Sequence, residues 1–204
     1  GVGRLIQTLK DEGIYENTLV IFMSDNGAPN NLHEAERAGD YLASNGSLRG
    51  RKGDTYEGGI RVPYIMSWPQ VIPKQSTYQH PVSGLDIVPT LIHISQAAPA
   101  KKELSGVNLM PYITGEKTSR PHKTLYWRRD DDYAIRDQDW KLTWNDYNGP
   151  RTPMLFNLKG DPNEKNNLIH KHPEIAQKLQ AKFDQWDSKL PDNKWWGGPS
   201  NRNR

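Results

Sequence analysis

The spacing of apolar residues at the start of the chain predicts a helix. Apolar positions recur every three or four residues, at Val2, Leu5, Ile6 and Leu9, which is the period of one helix face. Gly13 then supplies a stop signal. Because neither an initiator Met nor a capping residue precedes this stretch, we expect a helix that is already under way in a longer protein.

Two apolar runs predict buried strands. Residues 18–23 form a continuous β-prone run, and residues 64–68 form a second one between Pro63 and Pro69. A strand that is apolar on both faces is typical of a parallel sheet covered by helices. The predicted fold class is therefore α/β. Since two such strands cannot form a doubly covered sheet, we expect its other strands to lie outside this sequence.

The pattern changes near residue 120. Short runs rich in aromatic and β-branched residues alternate with turn residues and predict an antiparallel meander, over 124–127, 133–136, 140–144 and 154–158. An amphipathic helix is predicted over 173–188, with an apolar stripe that covers the sheet. We therefore predict two parts. Residues 1–120 belong to a large α/β domain, and residues 121–204 form a C-terminal subdomain, a small antiparallel sheet with a C-terminal helix.

Composition excludes several classes of function. The chain has 204 residues, and its 27 Lys and Arg nearly balance its 24 Asp and Glu, which gives a net charge of +3. A dedicated nucleic-acid binder would show a clustered basic face instead. Cysteine is absent, so these residues hold no disulfide, zinc–thiolate site or cysteine nucleophile. No apolar run approaches the roughly 18–20 residues of a membrane span.

A candidate metal site follows the first predicted strand. Asp25 and Asn26 come directly after that strand and before Gly27. Open α/β sheets bind their ligands at the carboxyl ends of strands, and adjacent carboxylate and amide oxygens suit Ca²⁺ or Mg²⁺. Asp, Asn and Gly are also the usual residues of a plain turn. The residues alone leave both interpretations open.

A glycine-rich basic segment follows at residues 48–63. It combines four glycines with four Lys or Arg residues. Glycines let a backbone approach a ligand closely, and the cations donate hydrogen bonds to anions. The segment lacks the GxxxxGK[ST] pattern of a phosphate-binding P-loop. A solvated basic loop explains the same composition, so this segment alone does not decide the function.

Taken in their order, these segments resemble the formylglycine-dependent type I sulfatases. The resemblance is carried by residues 18–27, 48–63, 86–91, 133–136 with 139–142, and 155–158 with 161–164. It covers nearly the whole chain and corresponds to the C-terminal half of that family. It implies that residues 1–120 are part of the alkaline-phosphatase-like sulfatase fold.

The resemblance implies hydrolysis of a sulfate monoester and assigns roles to three residues. Asp25 and Asn26 match the pair that completes the divalent metal site, usually Ca²⁺, with Mg²⁺ as the alternative. Lys52 matches the lysine that binds the sulfate oxygens and helps to stabilise the leaving group, so it is the expected catalytic and substrate-binding residue. Arg49 and Arg51 match no catalytic position. The implied partner is a sulfated small molecule or a sulfated carbohydrate, and the implied location is periplasmic or extracellular.

Three further polar residues are given structural interpretations. Asp86 is predicted to cap a helix over 86–94 rather than to act in catalysis. His33 and His80 are predicted to be plain surface residues.

One departure from the family pattern concerns the nucleophile. The family makes its formylglycine from Cys or Ser in a C/S-x-P-x-R setting. Ser67 and Ser119 are each followed by Pro at the second position, but neither has Arg at the fourth. The formylglycine is therefore expected in sequence outside this chain, and the chain alone is not expected to turn over substrate.

Two alternatives remain at this stage. Trp127, Trp140 and Trp144 lie on neighbouring predicted strands and suggest a platform for a sulfated sugar in a non-catalytic module, although aromatic residues in strands are more often sheet packing. A phosphatase or phosphodiesterase of the same wider superfamily is the second alternative.

Overall fold

A computed structural model describes residues 1–29, 44–98, 103–129, 131–145 and 152–191. Its helices are α1 (Val2–Asp11), α2 (Glu57–Ile60), α3 (Ile87–Ser95), α4 (Met110–Ile113) and α5 (Pro173–Asp187), with 3-10 turns at Tyr15–Asn17 and Gly84–Asp86. Its strands are β1 (Val20–Met23), β2 (Tyr64–Ser67), β3 (Thr124–Arg129), β4 (Asp132–Asp137), β5 (Trp140–Trp144) and β6 (Met154–Asn157). Among the described helices, none combines the length and the apolar character needed to cross a bilayer.

Internal contacts divide the chain into two compact units. The first unit contains Gly1–Met23 and Pro63–Lys123, and the second contains Ser24–Val62 and the chain from Thr124 onward. The glycine-rich segment therefore belongs with the C-terminal sheet. The domain boundary between residues 120 and 121 stays a prediction.

The first unit contains a two-stranded sheet. β1 and β2 pair with each other in antiparallel register, from Val20 opposite Ser67 to Met23 opposite Tyr64. The expected parallel arrangement is therefore wrong for this pair, because a continuous apolar run indicates what a strand can pack against and not the direction of its neighbour. Phe22 is 47% exposed, so the described residues do not bury both faces of β1.

The helices of the first unit follow the sequence pattern more closely. α1 ends before Gly13, which has a φ of +69°, a conformation that glycine adopts at little cost.

The hydrogen bonds of Asp86 differ from the expected helix cap. Its carboxylate does not cap α3 but accepts hydrogen bonds from the backbone N–H of Ser83 (2.8 Å) and of Val107 (2.9 Å) and contacts His122 Nε2 (2.8 Å). Asp86 instead forms a capping box with Ser83 at the 3-10 turn before α3, and it ties this turn to two distant segments.

The second unit confirms the predicted meander. Its four strands are antiparallel in the order β3-β4-β5-β6. The predicted C-terminal helix is α5, and it packs on one face of this sheet. The buried residues of that core are Ile135, Leu142, Leu155, Ala176, Leu179 and Phe183. Burial of such side chains is the main stabilising contribution to a layer of this kind.

The opposite face of the sheet is also covered. Residues of the glycine-rich segment pack there: Tyr56 lies against Phe156, and the Thr55 hydroxyl is 2.8 Å from that of Thr143. Side chains alternate between the two faces of a strand. Lys141 and Thr143 of β5 therefore point into a second buried layer and not into solvent, and both are fully buried.

The strand register places the three tryptophans of the suggested sugar platform on two different faces of the sheet. Trp127 pairs with Ala134, which pairs with Thr143, so these side chains share one face. Trp140 and Trp144 lie on the other face and pack against the α5 core. A platform of all three is therefore wrong, because two of them are sheet packing.

Candidate active site

The turn after β1 presents two oxygen donors. Asp25 is exposed. The Ser24 hydroxyl donates to the Asn26 carbonyl (2.8 Å), and Asn26 Nδ2 donates to the Gly27 carbonyl (3.0 Å). This second bond uses the amide nitrogen and leaves Oδ1 as an acceptor. Within the described ranges, neither Oδ1 nor the Asp25 carboxylate has a hydrogen-bond or ion-pair partner.

This donor set fits a hard divalent cation in part. Ca²⁺ takes 6–8 oxygen ligands and Mg²⁺ takes six, so Asp25 and Asn26 can complete a site but not form one. In the part of the chain that the structure describes, no three His, Cys, Asp or Glu side chains gather as a metal site. The remaining ligands of a metal held here must come from other residues or from water.

Hydrogen bonds of the Asn45 side chain join the turn after β1 to the glycine-rich segment. Its Oδ1 accepts from the Ala28 N–H (2.7 Å), and its Nδ2 donates to the carbonyls of Ala28 (3.2 Å) and Gly50 (3.0 Å). The Lys52 N–H also donates to the Ala28 carbonyl (3.1 Å). The structure thus brings the backbone of Lys52 beside the turn that carries Asp25 and Asn26. Their roles in metal and sulfate binding stay predictions.

Three glycines make this junction a contact between backbones. A Cβ added to Gly27 would lie 1.7 Å from the Gly58 carbonyl oxygen, and one on Gly58 would lie 2.4 Å from that of Gly50. A Cβ on Gly59 would lie 2.1 Å from the Asp54 carbonyl oxygen. Backbone atoms cannot move aside as a flexible side chain can. Gly58 and Gly59 therefore let the protein approach its own backbone, not a ligand as the composition suggested.

Lys52 lies at the exposed tip of a tight turn. The Asp54 N–H donates to the Arg51 carbonyl (2.9 Å), and the Arg51 N–H donates to Asp54 Oδ2 (3.0 Å), so the four residues 51–54 close on themselves. Gly53 has a φ of +94°, a value that the third position of some turns requires and that glycine satisfies without strain. The turn leaves the Lys52 side chain exposed to solvent.

The neighbouring cation Arg49 has a structural role. Its guanidinium lies 4.1 Å from the centre of the Tyr56 ring, and its Nη1 donates to the Glu164 carbonyl (3.0 Å). Such stacking and hydrogen bonding orient the guanidinium toward the protein. This agrees with the absence of a catalytic match at Arg49. His33 lies outside the described residues, and His80 lies edge-on to Tyr78.

A buried ion network joins the segment to the sheet, and sequence reasoning missed it. Lys141 Nζ lies 2.9 Å from Glu57 Oε1 and 2.8 Å from Glu164 Oε1, and all three residues are at most 2% exposed. The Glu57 N–H donates to Glu164 Oε2 (2.7 Å). Arg136 Nη1 lies 3.8 Å from the second oxygen of Glu57. The available signal was a lysine between Trp140 and Leu142 in the middle of a predicted strand.

Burial shifts the protonation equilibrium of Glu164. Desolvation raises the pKa of Glu164 above its ordinary value, and the Lys141 ammonium opposes that rise by favouring the carboxylate. The carboxylate therefore depends on Lys141 for its charge. Removing either partner leaves a buried group without compensation.

The comparisons with known proteins agree with this fold. Residues 1–97 match the sulfatase family model, and residues 51–189 match that of the C-terminal part of N-sulphoglucosamine sulphohydrolase. The fold is that of the alkaline-phosphatase-like sulfatases, with α/β and antiparallel parts. The chain belongs to the sulfatase family.

Individual relatives show how much of such a protein the chain represents. Mouse (Mus musculus) steryl-sulfatase is 35% identical over 62% of this chain, which is 20% of that protein. The structure of Ps i-CgsB in complex with k-i-k-neocarrahexaose has a TM-score of 0.80 and 31% identity, covering 95% of this chain and 42% of its own. The structure of BT4656 with its substrate D-glucosamine-2-N,6-O-disulfate has a TM-score of 0.68 and 25% identity, covering 95% and 39%. The chain thus spans about two fifths of the length of these two solved relatives.

The buried network predicts a large effect of losing its cation. Lys141→Met keeps most of the side-chain volume but leaves two carboxylates facing each other away from water. We expect the free energy of unfolding of the complete protein at pH 7 to fall by about 3–5 kcal/mol in urea titrations. Lys159→Met, at an exposed lysine of the same unit, is the control and should change it by at most about 0.5 kcal/mol. Equal losses in the two variants would contradict a charge network.

The raised pKa of Glu164 predicts a pH dependence. Because the folded protein holds this proton more tightly than the unfolded chain, Glu164 contributes more stability below its ordinary pKa of 4.5 than above its raised folded pKa. The stability of the wild type relative to Glu164→Gln should therefore increase as the pH falls from 7 toward 4.5. Unfolding curves of both proteins at several pH values measure this difference. A difference that stays constant over that range would rule out the coupling.

Proposed function

We propose that this chain is part of an enzyme that hydrolyses a sulfate monoester, in which it supplies a sulfate-binding lysine and two metal ligands. The hydrogen bond from the Lys52 N–H to the Ala28 carbonyl carries this proposal, because it joins the lysine turn to the turn that carries Asp25 and Asn26. Family membership supports the reaction class.

The proposed division of labour follows from the donor types. Asp25 and Asn26 would hold the divalent cation, Ca²⁺ in the first place and Mg²⁺ as the alternative. A bound cation of this kind would neutralise and orient the sulfate group. Lys52 would donate hydrogen bonds to the sulfate oxygens and balance the charge that develops as the ester bond breaks. Since the ammonium is a compact point charge on a flexible stem, its effect depends on how firmly the turn is held.

The nucleophile of the proposed enzyme is a formylglycine in sequence outside this chain. The absence of cysteine and of a C/S-x-P-x-R pattern in these residues supports that assignment. We infer that the complete site is formed when that part of the polypeptide meets the turn of Asp25 and the turn of Lys52.

The proposed substrate class is a sulfated carbohydrate or a sulfated small molecule. The two solved relatives described above were determined in complex with k-i-k-neocarrahexaose and with D-glucosamine-2-N,6-O-disulfate, and the mouse relative is named a steryl-sulfatase. A periplasmic or extracellular location is proposed with this substrate class.

Removing the proposed sulfate-binding charge tests the function directly. In the complete enzyme, Lys52→Ala should lower kcat/KM for a sulfate ester by about 10²–10³, the usual size of losing one donor to a developing charge. Lys178→Ala, at an exposed lysine of α5, should leave kcat/KM unchanged. A loss below threefold for Lys52→Ala would refute the role. Phosphate esters assayed in parallel should turn over more slowly than sulfate esters, and the reverse order would favour a phosphatase.

The metal assignment predicts a separate loss. Asp25→Ala removes one of the two oxygen donors, so we expect the purified complete protein to retain less than a tenth of the Ca²⁺ bound by the wild type, roughly the effect of losing a charged ligand of a hard cation. Elemental analysis after dialysis measures this. Asp184→Ala removes an exposed acid on α5 and should leave the metal content intact. Full occupancy in Asp25→Ala would exclude Asp25 as a ligand.

A further inference from the structure

Arg129, the last residue of β3, reaches the turn that carries Lys52. Its Nη1 donates a hydrogen bond to the Gly53 carbonyl at 2.6 Å. Two positions before it, Trp127 shares the sheet face of Ala134 and Thr143. Because alternate residues of a strand point to the same face, Arg129 emerges on the side where the glycine-rich segment packs. A side chain of the C-terminal sheet thus holds the residue that directly follows Lys52.

Because Gly53 has no side chain, the guanidinium can lie against its backbone. A Cβ at Gly53 would lie 2.6 Å from Arg129 Nη1, so any side chain there would displace the arginine. The positive φ of Gly53 independently requires glycine at this position. The contact therefore depends on a bare backbone at one particular residue.

The other hydrogen bonds described above act on Lys52 and on the two ends of the turn, Arg51 and Asp54. The Lys52 N–H is held by Ala28, and the Arg51–Asp54 pair closes the base of the turn. Glycine adopts positive and negative φ with similar ease, so sterics alone do not fix the backbone at Gly53. The N–H of the peptide group that follows Gly53 donates to the Arg51 carbonyl, and the bond from Arg129 holds the carbonyl side of the same peptide group.

We propose that Arg129 is a positioning residue for Lys52. It holds the Gly53 carbonyl, fixes the turn, and so keeps the lysine ammonium directed at the bound sulfate. This inference rests on the proposed role of Lys52 in sulfate binding. It makes the C-terminal sheet a working part of the active site and not only a scaffold.

The preceding residue provides a matched control. Arg128 is also an arginine of β3, but it points to the opposite face, where Nη1 pairs with Asp187 Oδ1 (2.5 Å) and Nη2 donates to the Pro191 carbonyl (3.0 Å). Arg129→Ala in the complete enzyme should lower kcat/KM about three- to tenfold, the size expected for one partly exposed hydrogen bond. Arg128→Ala removes the same charge without touching the turn and should leave kcat/KM unchanged. Arg129→Lys keeps a donor on a long stem and should restore most of the loss.

A double-mutant cycle separates positioning from a general structural effect. In a Lys52→Ala background the lysine is absent, so Arg129→Ala should cause no further loss of kcat/KM, and the two effects are non-additive. Equal losses in both backgrounds would overturn the proposal, because Arg129 would then act without Lys52. Equal activities of Arg129→Ala and Arg128→Ala would also overturn it.

The same cycle distinguishes this inference from the proposed function. If Lys52→Ala alone has no effect, the role of Lys52 is wrong and the positioning role falls with it. If Lys52→Ala lowers kcat/KM as expected while Arg129→Ala does not, only the positioning role is overturned.

Discussion

The second unit of the fold depends on one buried cation. Lys141 stands between Glu57, from the glycine-rich segment, and Glu164, from the turn after β6. A charge of either sign alone in this layer would be costly, so the three groups are favourable only together. The consequence is that a polar segment can cover a sheet face that would otherwise require apolar side chains. The interaction also fixes the register, since an ammonium must meet two particular carboxylates whereas apolar contacts tolerate sliding.

Around this network the segment is held by its own backbone. Gly27, Gly58 and Gly59 bring chain segments so close that a single methyl group would not fit. Such contacts leave almost no freedom for relative displacement, because the interacting atoms are peptide groups already committed to hydrogen bonds. The turn that carries the proposed catalytic lysine is therefore attached to a closely packed base, and the Arg129 bond restrains the turn itself. Such support suits the lysine charge, because a group that stabilises a transition state should already be in position when the reaction begins.

The sequence predicts the elements with strong periodicity and misses those decided by partners. The meander and α5 are evident because alternation and a helical stripe are local properties of the chain. The pairing of β1 with β2 is not, since a continuous apolar run such as residues 20–23 is compatible with either strand direction. The burial of Lys141 depends on a covering segment more than eighty residues earlier in the chain, which no local window contains. The resemblance assigned roles to Asp25, Asn26 and Lys52, and those roles stay predictions, whereas Arg129, Asn45 and the buried network emerged only from three-dimensional contacts.

Asn45 has a consequence for the kind of side chain that this junction accepts. One amide side chain contacts Ala28 at two points and Gly50 at a third, and it does so by accepting one hydrogen bond and donating two. Ionised aspartate has nearly the same shape but can only accept hydrogen bonds, so it would lose both donated bonds and set a negative charge against two carbonyl oxygens. The junction thus selects an uncharged amide at this position.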